Sequence, residues 1–190
     1  MKNYNETNKK HGFTLAELLI VVAIIGVLVA ISIPIFNRVL EESREAYDIY
    51  TMRAAASAAV DLFYRGVSDE QSAIANGLLW NDSGGNNGKN AYGVYDARTG
   101  KFLALSSGEY KQPYGKGTKV DGGTEYTMGN PRGSYRANLD YTKGFVMVSI
   151  YPVADIKRID VYWKGTDKNY IGDKNADNDP NYSIRLYMND

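Results

Sequence analysis

Two sets of residues in this sequence have types and spacings that could do chemistry. The first is a lone acid: Glu17 is the sole ionisable side chain in FTLAELLIVVAIIGVLVAISIPIF, the run from Phe13 to Phe36. A charge deep in a bilayer costs on the order of 2.5–3.5 kcal/mol on insertion scales, so membrane carboxylates normally have a partner. No cation lies near Glu17 in the uncut chain. Hydrolysis after Gly12 would create one, because the new amine of Phe13 would stand four residues before Glu17, on the same face of a helix. The amine could be that of the same chain or, with staggered helices, that of a neighbour. In the second case the charge pair becomes an assembly determinant. The same residues also fit a plain signal anchor whose acid snorkels at the membrane surface. The second set lies in GDKNADNDPN, where Asp173, Asn175, Asp177 and Asp179 alternate. Oxygen ligands at such spacing can wrap a hard cation such as Ca²⁺. The loop departs from an EF-hand, with Asn178 at the turn glycine and Ile184 where the bidentate Glu would stand. A solvated turn explains the same composition.

The element that must position Glu17 is a helix. From Phe13 to Phe36 it would measure roughly 36 Å, enough to cross a hydrocarbon layer of about 30 Å. The run is too long for a secretory signal core. Lys2, Lys9 and Lys10 against Glu6 make the preceding flank basic, which places the N-terminus inside and residue 37 onward outside. The whole 190-residue chain has a formal net charge of zero, so no basic excess points to nucleic acid. It has no cysteine, which excludes disulfides and thiolate sites. The one histidine, His11, lies in the leader segment. No Gly-x-Ser-x-Gly, zincin or Walker spacing is present, and no enzymatic activity is expected.

Gly12, Phe13, Thr14 and Glu17, in the order G-F-T-x-x-E ahead of the apolar run, resemble the class III signal of type IV pilins and the related type II secretion pseudopilins. The resemblance extends from about Lys9 to Arg65 and includes Gly26 and Pro34, positions where these families also carry helix-weakening residues. It implies a leader, residues 1–12, removed by a membrane prepilin peptidase between Gly12 and Phe13, with N-methylation of the new Phe13 amine. It implies that Phe13 and Glu17 guide subunits through an assembly platform membrane protein into a filament, in which the chain's main partner is itself. The precursor would sit in the cell membrane as a single-pass protein and then pass to an extracellular pilus. A pseudopilin of a secretion system and a minor pilin that primes assembly share these features. A monomeric, membrane-anchored calcium- or glycan-binding protein is the alternative from another class. Major pilins of Gram-negative bacteria usually staple a C-terminal loop with a disulfide. The cysteine-free chain departs from that pattern and favours a Gram-positive type, stabilised by packing or a bound ion.

Four segments follow: the leader 1–12, a transmembrane and filament-core helix over 13–36, an amphipathic continuation over 37–65, and a head over 66–190. Gly26 and Pro34 should weaken the helix, Pro34 by removing a donor to the Ala30 carbonyl, so that the segment from Gly26 to Pro34 loosens outside the membrane. Ile49, Met52, Ala56, Val60 and Phe63 form one stripe facing the head, while Leu40, Tyr47, Tyr50, Ala54 and Ala58 lie on another face without an evident partner. Gly66 should end the helix. Ser68 to Gln71 reads as a capping box for a short helix ending near Gly77. Strand-like runs cover 91–95, 101–105, 125–128, 134–139, 145–151, 159–163 and 182–188. Those at 145–151 and 182–188 alternate as half-buried antiparallel strands do. The expected class is α+β and pilin-like: one long N-terminal helix packed on an antiparallel sheet. The sixteen tyrosines suit strands and could also present a stacking surface for glycans.

Overall fold

The computed structural model describes residues 12–83, 85, 88–118, 126–127, 134–135, 139–171 and 184–189. The chain divides into two compact units, one up to Val39 and one from Leu40 onward. Helix α1, Leu15–Tyr64, contributes to both. Its first part, through Val39, is exposed at every described position. It is the one helix among the described residues long and apolar enough to cross a membrane. The helix is not interrupted at Gly26 or Pro34. Proline removes a single ladder bond, and the turns on either side of it stay helical; the Ser32 hydroxyl donates to the Leu28 carbonyl at 2.6 Å.

The end of α1 follows from Gly66, whose φ of +86° no L side chain adopts readily. The N–H of Gly66 donates to Phe63 O and that of Val67 to Leu62 O, which is a Schellman motif closed by the buried pair Leu62 and Val67. Helix α2, Glu70–Ala75, is capped one residue later than the sequence suggests. Asp69, not Ser68, is the N-cap, and it exchanges bonds with Ser72 rather than Gln71. The carboxylate of Asp69 is a stronger acceptor for the Ser72 N–H than a hydroxyl would be.

Among the described residues nine strands follow: β1 (Leu79–Asn81), β2 (Asn90–Asp96), β3 (Lys101–Leu103), β4 (Tyr126–Thr127), β5 (Ser134–Tyr135), β6 (Gly144–Tyr151), β7 (Arg158–Gly165), β8 (Tyr170–Ile171) and β9 (Ile184–Tyr187). Seven form one antiparallel sheet. β6 and β7 pair along their whole length, from Gly144 opposite Gly165 to Tyr151 opposite Arg158. β2 lies on the other side of β6. Each outer flank is a relay of two short strands: β1 then β3 along β2, and β9 and β8 along β7. Gly93 sits where β1 gives way to β3, and a Cβ there would lie 2.7 Å from Leu103 O. β4 and β5 make a separate hairpin. β1 and β8 were not evident as strands because two or three paired residues leave no periodic pattern.

The head portion of α1 packs on the sheet through Met52, Ala55, Ala56, Ala59 and Leu62, against Val146, Val148, Ile150, Ile159, Val161, Trp163 and Ile184. The alanines let the backbone come close to the strands. The stripe is thus rotated from the expected one: Met52 and Ala56 are at its centre, whereas Ile49, Val60 and Phe63 flank it. Ala54 and Ala58, expected to lack a partner, form the other flank, leaving Tyr50 as the most exposed member of that set.

β6 departs from the half-buried expectation, because both its faces are covered. Val146, Val148 and Ile150 face α1, and Phe145 and Met147 join Val94, Tyr110 and Tyr162 in a second core. Residues 104–114 fold over that face, with the Tyr110 ring 4.9 Å from that of Phe145. On the same side, buried Asp160 takes a bidentate pair from Arg185 at 2.6 and 2.8 Å and a bond from Arg158 at 3.4 Å. Tyr95, Tyr110, Tyr141 and Tyr162 are buried, whereas Tyr50, Tyr64, Tyr170 and Tyr187 are exposed.

The turn after β2 carries a pH-dependent contact. The Asp96 carboxylate accepts from the Arg98 N–H at 3.0 Å, from Arg98 Nε at 3.3 Å and from Thr99 Oγ1 at 3.1 Å. Burial opposes its charged form, but these donors outweigh burial and hold its carboxyl below the ordinary value. A depressed folded-state value means that the stabilisation is present above the unfolded carboxylate range, near pH 4, and is lost as pH falls through the folded value. Asp96→Asn is therefore expected to flatten the acid limb of a plot of melting temperature against pH below about pH 4.

Candidate functional site

The candidate site is built on the first turn of α1. Thr14 has extended backbone and stands immediately before Leu15, the first helical residue. Its Oγ1 accepts from the Glu17 N–H at 3.2 Å, and the Glu17 Oε2 accepts from the Thr14 N–H and from Thr14 Oγ1, both at 2.8 Å. This reciprocal arrangement is a capping box. Two of the donors that every helix start leaves unpaired are satisfied by side chains of the same turn. The carboxylate also lies at the positive end of the helix dipole.

The sequence reading that Glu17 has no partner in the uncut chain is therefore corrected. Among the described residues no cation is bonded to it, but Thr14 supplies two donors. The signal for it was present as T-x-x-E directly before an apolar run. Thr14 therefore caps the helix as well as belonging to the G-F-T-x-x-E signal. Thr14→Val keeps the side-chain shape and removes Oγ1. Losing an N-cap costs about 1 kcal/mol, so amide exchange in the first turn, Leu15 to Leu18, is expected to rise about fivefold in detergent micelles.

Phe13 precedes the cap and is 89% exposed. With Glu17, Leu18, Ile20 and Val21 it lines one shallow concavity whose walls are otherwise apolar. Gly12 and Gly26 have no atom within 4 Å of where a Cβ would stand. Among the described residues, glycine at these two positions answers to no packing. Pro34 is within α1, and the acid, the aromatic residue and the cap lie together at its start.

The proposed calcium ligands Asp173, Asn175, Asp177 and Asp179 lie outside the described residues. Among the described residues no group of three or more His, Cys, Asp or Glu side chains is placed to hold a metal ion.

No curated protein and no solved structure matches this chain. Residues 7–33 match the prokaryotic N-terminal methylation motif, a stretch that begins before the Gly12–Phe13 bond and ends one residue before Pro34. That match, together with an α+β head of one long helix packed on an antiparallel sheet, identifies the chain as carrying the class III signal of a type IV pilin-like precursor.

Proposed function

We propose that the chain is the precursor of a structural subunit of a type IV pilus. A prepilin peptidase cuts between Gly12 and Phe13 and the new amine is methylated. The mature subunit waits in the cell membrane, held by the apolar part of α1. An assembly platform membrane protein then feeds it into an extracellular filament made chiefly of copies of itself. The observation that carries this reading is the placement of Glu17. An acid at the start of a helix exposed to Val39 and without another ionisable side chain to Phe36 needs surroundings that cover the apolar surface and a cation that answers the acid. A bundle of identical helices supplies the first, and the Phe13 amine, of the same or a neighbouring subunit, supplies the second.

The test has two parts. Mass spectrometry of the protein from cells is expected to find a mature N-terminus at Phe13, carrying an added methyl group. Electron microscopy of sheared surface filaments is expected to show fibres that contain peptides from residues 66–190. Retention of Met1 to Gly12 would instead support the anchored monomeric binding protein. A processed chain found only in short cell-bound fibres would support a pseudopilin.

A further inference from the structure

We infer that residues 110–118 form a latch holding the first head turns of α1, Glu41 to Asp48, against the sheet, and that this polar stretch of the helix opens before the apolar stretch that follows. The inference concerns the head alone and holds whether or not the chain polymerises.

The seam between α1 and the head changes character along its length. The buried helix residues from Leu40 to Asp48 are Glu41, Glu45 and Asp48, all acidic; from Met52 onward they are Met52, Ala55, Ala56, Ala59 and Leu62. Among the described residues, no apolar side chain of α1 ahead of Ile49 joins the core. Two of these acids, Asp48 and Glu41, accept backbone bonds from across the seam, and Arg44 also donates to Glu41 Oε2 at 3.3 Å. The Lys116 N–H donates to both Asp48 oxygens at 3.0 Å, and the Gly117 N–H to Asp48 Oδ2 at 2.8 Å. The Thr118 N–H donates to Glu41 Oε1. The Lys116 ammonium rests over the Tyr47 ring, 4.2 Å from its centroid.

The other end of the latch is fixed inside the sheet. β2 and β6 pair as far as Val94 opposite Met147. At the next position the Tyr114 hydroxyl stands in for the ladder, donating to Tyr95 O at 2.7 Å and accepting from the Val146 N–H at 2.8 Å. Burial raises the Tyr114 pKa, which keeps this hydroxyl a donor. Between the two ends, the Tyr114 and Gly115 N–H groups share Gly144 O, and the Tyr141 N–H donates to Gly117 O. Five consecutive amides, 114 to 118, therefore have assigned partners, and three of these lie on α1.

Hydrogen bonds to carboxylates are strong but can be exchanged for water, whereas an apolar contact has no such substitute. A helix whose tertiary support is polar therefore opens locally at lower cost than one seated in a core. The boundary falls at Ile49 to Met52.

The test is hydrogen exchange, read by mass spectrometry, on the full chain in detergent micelles. In the unmodified protein, amides of Glu41 to Asp48 are expected to exchange at least tenfold faster than those of Ala55 to Leu62. Asp48→Asn keeps the shape and one acceptor; Tyr114→Phe breaks the far end without touching α1. Each is expected to speed exchange on the order of tenfold in both 114–118 and 41–48, leaving Val146 to Ile150 and Ile159 to Trp163 within about twofold, apart from the Val146 amide in Tyr114→Phe. Faster exchange in 114–118 with 41–48 unchanged would overturn the inference, since the two would then not be coupled. A uniform rise through β6 and β7 would overturn it as well, because the latch would then be part of one cooperative unit.

Discussion

Glu17→Ala is expected to leave membrane insertion and cleavage after Gly12 intact and to cut incorporation into surface fibres by about two orders of magnitude or more. Insertion should if anything improve, because removal of the acid removes the only ionisable side chain between Phe13 and Phe36. In the proposed filament the balance reverses. The Phe13 amine, once surrounded by apolar helices, keeps its charge and loses its partner. Breaking a buried ion pair from one side costs about 3–5 kcal/mol, and each 1.4 kcal/mol is a factor of ten in an equilibrium. The Ala variant also removes half of the capping box with Thr14. Glu17→Gln separates the two effects, since its amide oxygen can still accept from the Thr14 N–H but carries no charge. Fibres from the Gln variant are expected to be nearly as scarce as from the Ala variant. Immunoblots comparing sheared fibres with mature cell-bound protein give the answer. Wild-type fibre yield from Glu17→Ala would show the charge pair to be dispensable, and recovery by Gln alone would assign the effect to the cap.

The site was legible in the sequence to the extent that its chemistry is local. Gly12, Phe13, Thr14 and Glu17 are neighbours in the chain, and the structure places them at one helix start, as spacing alone requires. What escaped notice was the second use of Thr14 and Glu17. A carboxylate in an apolar run draws attention to the missing cation, and the hydroxyl three residues away was read for processing rather than for its bonds. Glu41, Glu45 and Asp48 escaped for a different reason. Their spacing of four and three is that of a buried face, but acids at such positions ordinarily mark the solvated side of a helix. The backbone amides of residues 116–118, nearly seventy positions or more further on, account for the burial of Glu41 and Asp48.

The fold divides in the same way. Helix ends were readable where a single residue decides them, as Gly66 does through its positive φ. β6, β7 and β2 were readable because long runs of β-branched and aromatic residues suit no other element. The number of faces that β6 buries was not readable, since this depends on residues 104–114 folding back over Phe145 and Met147. The α1 seam was shifted because alanine and the acids carry the contact, so a search for large apolar side chains finds its flank instead of its centre.

Gly115→Ala is expected to destabilise the head by about 3 kcal/mol or more. The added Cβ would lie 2.0 Å from Tyr141 O, 2.9 Å from the carbonyl carbon and 3.1 Å from Trp163 Cζ3. None of these can retreat cheaply. Tyr141 O accepts from the Gly144 N–H at 2.7 Å, its N–H is held by Gly117 O at 2.9 Å, and both Tyr141 and Trp163 are fully buried. The chain on either side of Gly115 is also fixed, by the Tyr114 hydroxyl in the sheet and by Asp48 on α1. The same substitution at Gly26 meets nothing within 4 Å and should favour the helix by about 1 kcal/mol. Urea unfolding of the full chain in micelles, followed by fluorescence of Trp80 and Trp163 in the head, measures the first, and amide exchange around residue 26 measures the second. A midpoint for Gly115→Ala within about 1 kcal/mol of wild type would mean that residues 114–118 can move away from Tyr141, and the close packing of this corner would have to be abandoned as a source of its rigidity.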